Sequence, residues 1–136
     1  MNTPCPTPLR VLLVEDDAML AACLIRALCR AGHHVESRTR GDEGLLAALG
    51  GAFDVLVLDW RLPVLDGIEV VRALRLAGSE LRVLMLSGNG DFRRQEALDA
   101  GADEFHNKPC GLEEFTTVVA ALAARAREVH AVSCAA

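Results

Sequence analysis

Short, nearly uninterrupted apolar runs alternate along the chain with segments whose apolar residues recur at three- and four-residue steps. Residues 9–14 (LRVLLV), 53–58 (FDVLVL) and 81–86 (LRVLML) are the runs. Being rich in Val and Leu without a polar alternation, they read as strands buried on both faces. Residues 34–38, with Val35 their only strong apolar residue, predict a weaker strand near an edge, and 104–107 a short fifth strand. Between them, Leu20, Leu24, Ala27, Leu28 and Ala31 share one helical face. Asp17 stands where an N-cap is expected and Gly32 just past the C-terminus. A second helix spans 42–49, ended by Gly50 and Gly51. Ile68, Val71, Leu74 and Arg75 mark a third, closed by Gly78. A fourth covers 91–100, with Arg93, Arg94 and Glu96 facing outward. Leu112, Phe115, Val119, Leu122 and Ala126 mark a fifth. Strand and helix thus alternate five times. That order predicts a doubly wound α/β domain, a five-stranded parallel sheet with helices on both faces and right-handed crossovers.

Composition narrows the classes. A chain of 136 residues suits one domain, and 51 % hydrophobic residues exclude disorder. The balance of 14 Lys+Arg against 19 Asp+Glu gives a net charge of −5, which disfavours direct nucleic-acid binding. No apolar run approaches the roughly 18 residues of a membrane span. The first ten residues hold three prolines and no apolar core of a secretory signal, so a cytoplasmic location is expected. Cys5, Cys23, Cys29, Cys110 and Cys134 are odd in number and form no C-x2-C pair, which argues against a zinc ribbon and fits a reducing compartment. Cys23 and Cys29 are expected to be small buried thiols within a helix. None of His33, His34, His106 and His130 has a partner at ligand spacing.

In an open α/β sheet the binding crevice lies beyond the carboxyl ends of the strands. Glu15, Asp16 and Asp17 follow the first run, Asp59 the second, Ser87 the third, and Lys108 with Pro109 the fifth strand. Three carboxylates at close range repel one another, and a hard divalent cation such as Mg²⁺, which prefers oxygen ligands, relieves that cost. Lys108 supplies a fixed positive charge and Ser87 a hydroxyl donor. A carboxylate between two cations is a competent phosphoryl acceptor, and Asp59, at the end of the central strand, is best placed for that role. Asp17 reads as a helix cap rather than a ligand, and Asp66-Gly67 as a turn and cap.

Over residues 8 to 127 the chain resembles the receiver domains of bacterial two-component response regulators, which have a flavodoxin-like fold. V-E-D-D at 14–17 resembles the family's acidic pair, carried by Glu15 and Asp16. D-W-R-L-P-V-L-D-G at 59–67 resembles its phosphoacceptor loop. Ser87, Phe105 and Lys108-Pro109 match the conserved hydroxyl, the aromatic switch and the Lys-Pro pair, whose peptide bond is usually cis. The resemblance implies that Asp59 accepts a phosphoryl group from the phosphohistidine of a sensor histidine kinase or a histidine phosphotransfer protein. Asp16, Asp59 and the backbone carbonyl of Arg61 would bind Mg²⁺, with Glu15 acting largely through water, and Lys108 would stabilise the transferring charge. Ser87 and Phe105 would then move inward and alter the surface of the fourth helix, fifth strand and fifth helix, through which partners, or a second copy in a homodimer, are received. The implied domain is no enzyme beyond assisting its own phosphorylation and dephosphorylation. Gly88, Phe105 and Cys110 depart from the commoner Ala, Tyr and Phe, and Arg61 and Asn89 occupy positions that tune phosphoryl lifetime.

Two alternatives remain for comparison. An aspartyl-phosphate phosphatase of the haloacid dehalogenase type needs a second Asp two residues after the nucleophile, where this chain has Arg61. A phosphorylation-independent receiver-like interaction module usually lacks the acidic pair or the lysine, and both are present. The expected organisation is an N-terminal extension at 1–8, a receiver at 9–127 and a fraying tail without periodicity at 128–136, with no output domain.

Overall fold

The computed structural model describes residues 8–88, 94–108 and 111–135, with 126–135 as helix backbone. In chain order the elements are β1 (Arg10–Val14), α1 (Ala18–Arg30), β2 (His34–Arg38), α2 (Gly41–Gly50), β3 (Val55–Asp59), α3 (Gly67–Leu76), β4 (Arg82–Ser87), α4 (Arg94–Ala100), β5 (Glu104–Asn107) and α5 (Leu112–Ala135). The strands form one parallel sheet in the order β2-β1-β3-β4-β5. The weak β2 lies at one edge and the short β5 at the other, while the three apolar runs fill the middle.

The central strands are apolar throughout because successive side chains enter two separate cores. Leu12, Val14, Leu56, Leu58, Val83 and Met85 pack with Ile68, Val71, Leu74 and Ala97, on the side of α2, α3 and α4. Val11, Leu13, Val55, Val57, Leu84 and Leu86 pack with Leu24, Leu28, Phe115, Val119 and Leu122, on the side of α1 and α5. Helix starts are set by the expected caps. Asp17 accepts from the Met19 and Leu20 N–H groups, and Asp66 and Glu69 form a reciprocal capping box at α3.

Two expectations are corrected. Cys23 and Cys29 are exposed, not buried. The buried stripe of α1 runs through Leu24 and Leu28, and each cysteine sits about 100° to one side of it. The stretch 128–135 continues α5 as helix to Ala135 instead of fraying. No Gly or Pro interrupts it, and Glu128, Ala131 and Ala135 favour a helix even where periodicity is weak. The Lys108-Pro109 peptide bond, Cys5, Cys110, Asn89, residues 91–93 of the expected fourth helix, and the side chains of His130 and Cys134 lie outside the described residues.

Candidate functional site

Parallel pairing brings the chemistry to one end of the sheet. Val14 of β1 lies opposite Leu58 of β3, so the next residues, Glu15 and Asp59, emerge side by side. Asp59 in turn lies opposite Leu86, and Ser87 opposite Asn107. The crevice therefore opens between β1 and β3, where the strand order reverses direction. Backbone bonds hold the rims: Glu15 N–H to Arg38 O at 3.0 Å, Trp60 N–H to Leu86 O at 2.9 Å and Lys108 N–H to Ser87 O at 2.7 Å. Gly67 lets the start of α3 close over the loop that follows Asp59. A Cβ there would lie 2.5 Å from the Asp59 carbonyl oxygen, a distance that side-chain carbons do not tolerate.

Lys108 is the hub. Its Nζ lies 2.9 Å from Glu15 Oε1 and 3.0 Å from Asp59 Oδ1. The contact to Glu15 is an ion pair; Oε1 makes no well-directed hydrogen bond, whereas Oε2 accepts from the Asp17 N–H at 3.1 Å. Glu15, Asp59 and Ser87 are buried and Asp16 is exposed at the mouth. Carboxylate oxygens of Glu15, Asp16 and Asp59 all lie within 4.8 Å of one another. Burial pushes the Glu15 carboxyl above its ordinary pKa, the Asp59 charge adds to this, and the close Lys108 ammonium and the bond from the Asp17 N–H offset only part of it. Burial would lower the Lys108 ammonium, but together its bonds and attraction to Glu15 and Asp59 raise it above the ordinary lysine value. Lys108 therefore stays charged. Three close carboxylates facing one ammonium form a hard, all-oxygen, electron-rich donor set, which suits a divalent cation.

The sequence-predicted residues Glu15, Asp16, Asp59, Ser87 and Lys108 thus converge. Asp17 and Asp66 are caps, as expected, and lie outside the ion-pair cluster. Arg61 is exposed on the loop after Asp59. The Phe105 ring is buried and meets Trp60 edge to face, with centroids 6.1 Å apart at 88°. The resemblance implies a ring that turns inward on activation; here it already lies inward.

Two arginines had no part in the sequence-based expectations of function. Arg75 counts among the positions marking α3, yet its guanidinium is half-buried and bonded to two loops, 77–81 and 101–103. Arg94, expected on an outer face, donates to the Phe105 carbonyl at 3.0 Å. The available signal was an arginine on the inward stripe of a helix, and it covered Arg75 alone.

The sequence model of the response regulator receiver domain matches residues 11–120. The transcriptional regulatory protein TcrA of Mycobacterium tuberculosis is 40 % identical over 117 residues, covering 85 % of this chain and 46 % of that protein. The chain spans about half the length of the curated relatives it matches. The receiver domain of the Francisella response regulator 1452 superposes with a TM-score of 0.84 at 28 % identity, over 87 % of this chain and 98 % of that one. The receiver domain of the Pseudomonas aeruginosa sensor histidine kinase PA1611, solved with magnesium in its active site cleft, gives 0.78 at 25 % identity, over 87 % and 99 %.

Proposed function

The chain belongs to the response regulator receiver domain family of two-component signalling, and from that premise we propose that Asp59 is its phosphoacceptor and Lys108, Ser87 and the acidic pair its machinery. The observation that carries this reading is the Lys108 ammonium, 2.9 Å from Glu15 and 3.0 Å from Asp59. It orients the Asp59 carboxylate, and it would place a positive charge beside an incoming phosphoryl oxygen. A carboxylate oxygen of Asp59 attacks the phosphorus of a phosphohistidine on a sensor kinase or phosphotransfer protein. The P–O bond forms as the P–N bond breaks, and the imidazole leaves with the electron pair. Water later attacks the same phosphorus, releasing phosphate and restoring the carboxylate.

The residues fit Mg²⁺ by their donor chemistry. Asp16, Asp59 and the Arg61 carbonyl would hold it directly, and Glu15 through water. When bound, the ion supplies charge neutralisation to the phosphoryl oxygens. Lys108 would neutralise a second phosphoryl oxygen, and Ser87, buried at the end of β4, would donate to a third. The readout is a rearrangement of the α4-β5-α5 surface, through which an output partner, or a second copy in a homodimer, is engaged. No helix among the described residues is long and apolar enough to cross a membrane. The role proposed for this chain is that of a cytoplasmic signalling domain, not of an enzyme in its own right.

Incubation with Mg²⁺ and acetyl phosphate, followed by intact mass, tests the proposal. A gain of about 80 Da, one phosphoryl group, is expected. It should be lost in Asp59→Asn and on chelation of the metal. Binding of Mg²⁺ alone should quench or shift the fluorescence of Trp60, the chain's single tryptophan and the residue next to Asp59. Absence of the mass gain in the wild-type chain would favour the phosphorylation-independent interaction module instead.

A further inference from the structure

Helix α4 is held to the domain in an unusual way for so central an element. Of its described residues Ala97 alone is fully buried, and Ala100 packs partly against the core. Two alanine methyls anchor it weakly, so polar ties set where it sits. Among the described residues those ties differ greatly between its two ends.

At the C-terminal end stands Arg75 of α3. Its Nε and Nη2 donate to the Gly101 carbonyl at 3.1 and 2.8 Å, and Nη2 also to Asp103 Oδ2 at 3.2 Å. Its Nη1 donates to the carbonyls of Ser79 and Leu81 at 3.0 and 2.8 Å. The five donors of a guanidinium thus all have partners. Asp103 is fixed in turn by the Val83 N–H at 2.9 Å and by Arg82 at 3.2 Å. Gly101, just past α4, has φ +119°, a backbone angle that glycine adopts without strain. At the N-terminal end Arg94 donates from Nη1 to the Phe105 carbonyl at 3.0 Å, its one side-chain bond among the described residues. Phe105 pairs with Met85, two residues before Ser87, and its ring packs on Trp60, next to Asp59.

We propose that Arg94 is a releasable latch and the Arg75–Gly101–Asp103 clasp a fixed pivot, so that α4 swings about its C-terminal end when the site is phosphorylated. The inference rests on the receiver reading above and adds to it which end of α4 moves. A strand shift at β5 of a few tenths of an ångström lengthens the Arg94 bond directly. The clasp, spread over three carbonyls of two loops and an ion pair, has no single point of failure.

Amide hydrogen exchange resolved along α4 tests this. In the unphosphorylated protein, Arg94→Ala should speed exchange about fivefold at amides of the first turn of α4, the factor lost with one intramolecular hydrogen bond. Exchange from Ala100 to Asp103 should stay unchanged, as should the mass gained from acetyl phosphate. Phosphorylation of the wild-type chain should give the same asymmetric pattern. Unaltered first-turn exchange in Arg94→Ala, or phosphorylation effects concentrated at 100–103, would overturn the latch. A wild-type chain that gains no mass contradicts the receiver reading, while the Arg94→Ala arm still decides whether the latch exists. Arg75→Lys, which keeps the charge but loses the fork, should speed exchange at both ends together; a change at the first turn alone would contradict the pivot.

Discussion

Replacing Lys108 by Met tests the electrostatic core of the site while keeping most of the side chain's apolar length. The substitution removes the cation 2.9 Å from Glu15 and 3.0 Å from Asp59 and leaves two buried carboxylates facing each other. At an effective dielectric of about 20, each such contact is worth about 5 kcal/mol before the cost of desolvation. Breaking a buried pair by removing one partner typically costs about 3–5 kcal/mol. The Lys108 side chain keeps 20 % exposure, so the low end applies, about 3 kcal/mol at neutral pH. With an unfolding entropy of about 2.1 cal/mol/K per residue over 136 residues, this lowers Tm by about 10 °C. The deficit should depend on pH. Burial already raises the Glu15 pKa in the folded chain, and loss of Lys108 raises it further. The folded state then binds a proton more tightly than the unfolded state, so stability rises as pH falls toward the ordinary carboxylate range. Urea unfolding of both chains in metal-free buffer at pH 7.5 and 5.5 is the assay. A deficit under 1 kcal/mol at pH 7.5, or one that grows on acidification, would refute the argument.

Two further outcomes follow from local geometry. Val64 is 65 % exposed, has φ 75° and sits in a three-residue turn closed by the Leu65 N–H on the Pro63 carbonyl at 2.9 Å. Strain there of about 1–3 kcal/mol exceeds the roughly 0.5–1 kcal/mol that glycine loses through unfolded-state freedom. Val64→Gly should therefore stabilise the chain by about 1 kcal/mol in urea melts, and a loss of stability would contradict the strain. His33 is buried and accepts the Leu9 N–H at Nδ1, 3.1 Å away; burial lowers its pKa, Asp54 opposing and His34 adding to the effect. A histidine with a lowered folded pKa contributes stability that is present above about 6.5 and lost as pH falls below it. His33→Asn, which can still accept but cannot titrate, should flatten that part of the stability-pH curve; an unchanged slope would assign it to another group.

Much of the site was legible as a list of strand-end residues. Periodicity places each strand, and in a parallel sheet every strand delivers its next residue to the same end, so Glu15, Asp59, Ser87 and Lys108 meet without any knowledge of the packing. Strands β2 and β5 have the bounds that their weak patterns predict. The two exposed cysteines show where this reasoning fails. Membership of an apolar segment does not say which side of the helix a residue occupies.

Residue types and their spacing carry the fold class, the edge position of β2, the helix caps and the convergence of acid, hydroxyl and ammonium groups, because all of these depend on local period and strand direction. The separations of 2.9 and 3.0 Å at Lys108, the inward Phe105 ring against Trp60, and the two arginine ties on α4 depend on packing across the sheet. Arg75 and Arg94 bond mainly to backbone carbonyls, which every residue carries, so no residue pattern announces them until the chain has folded.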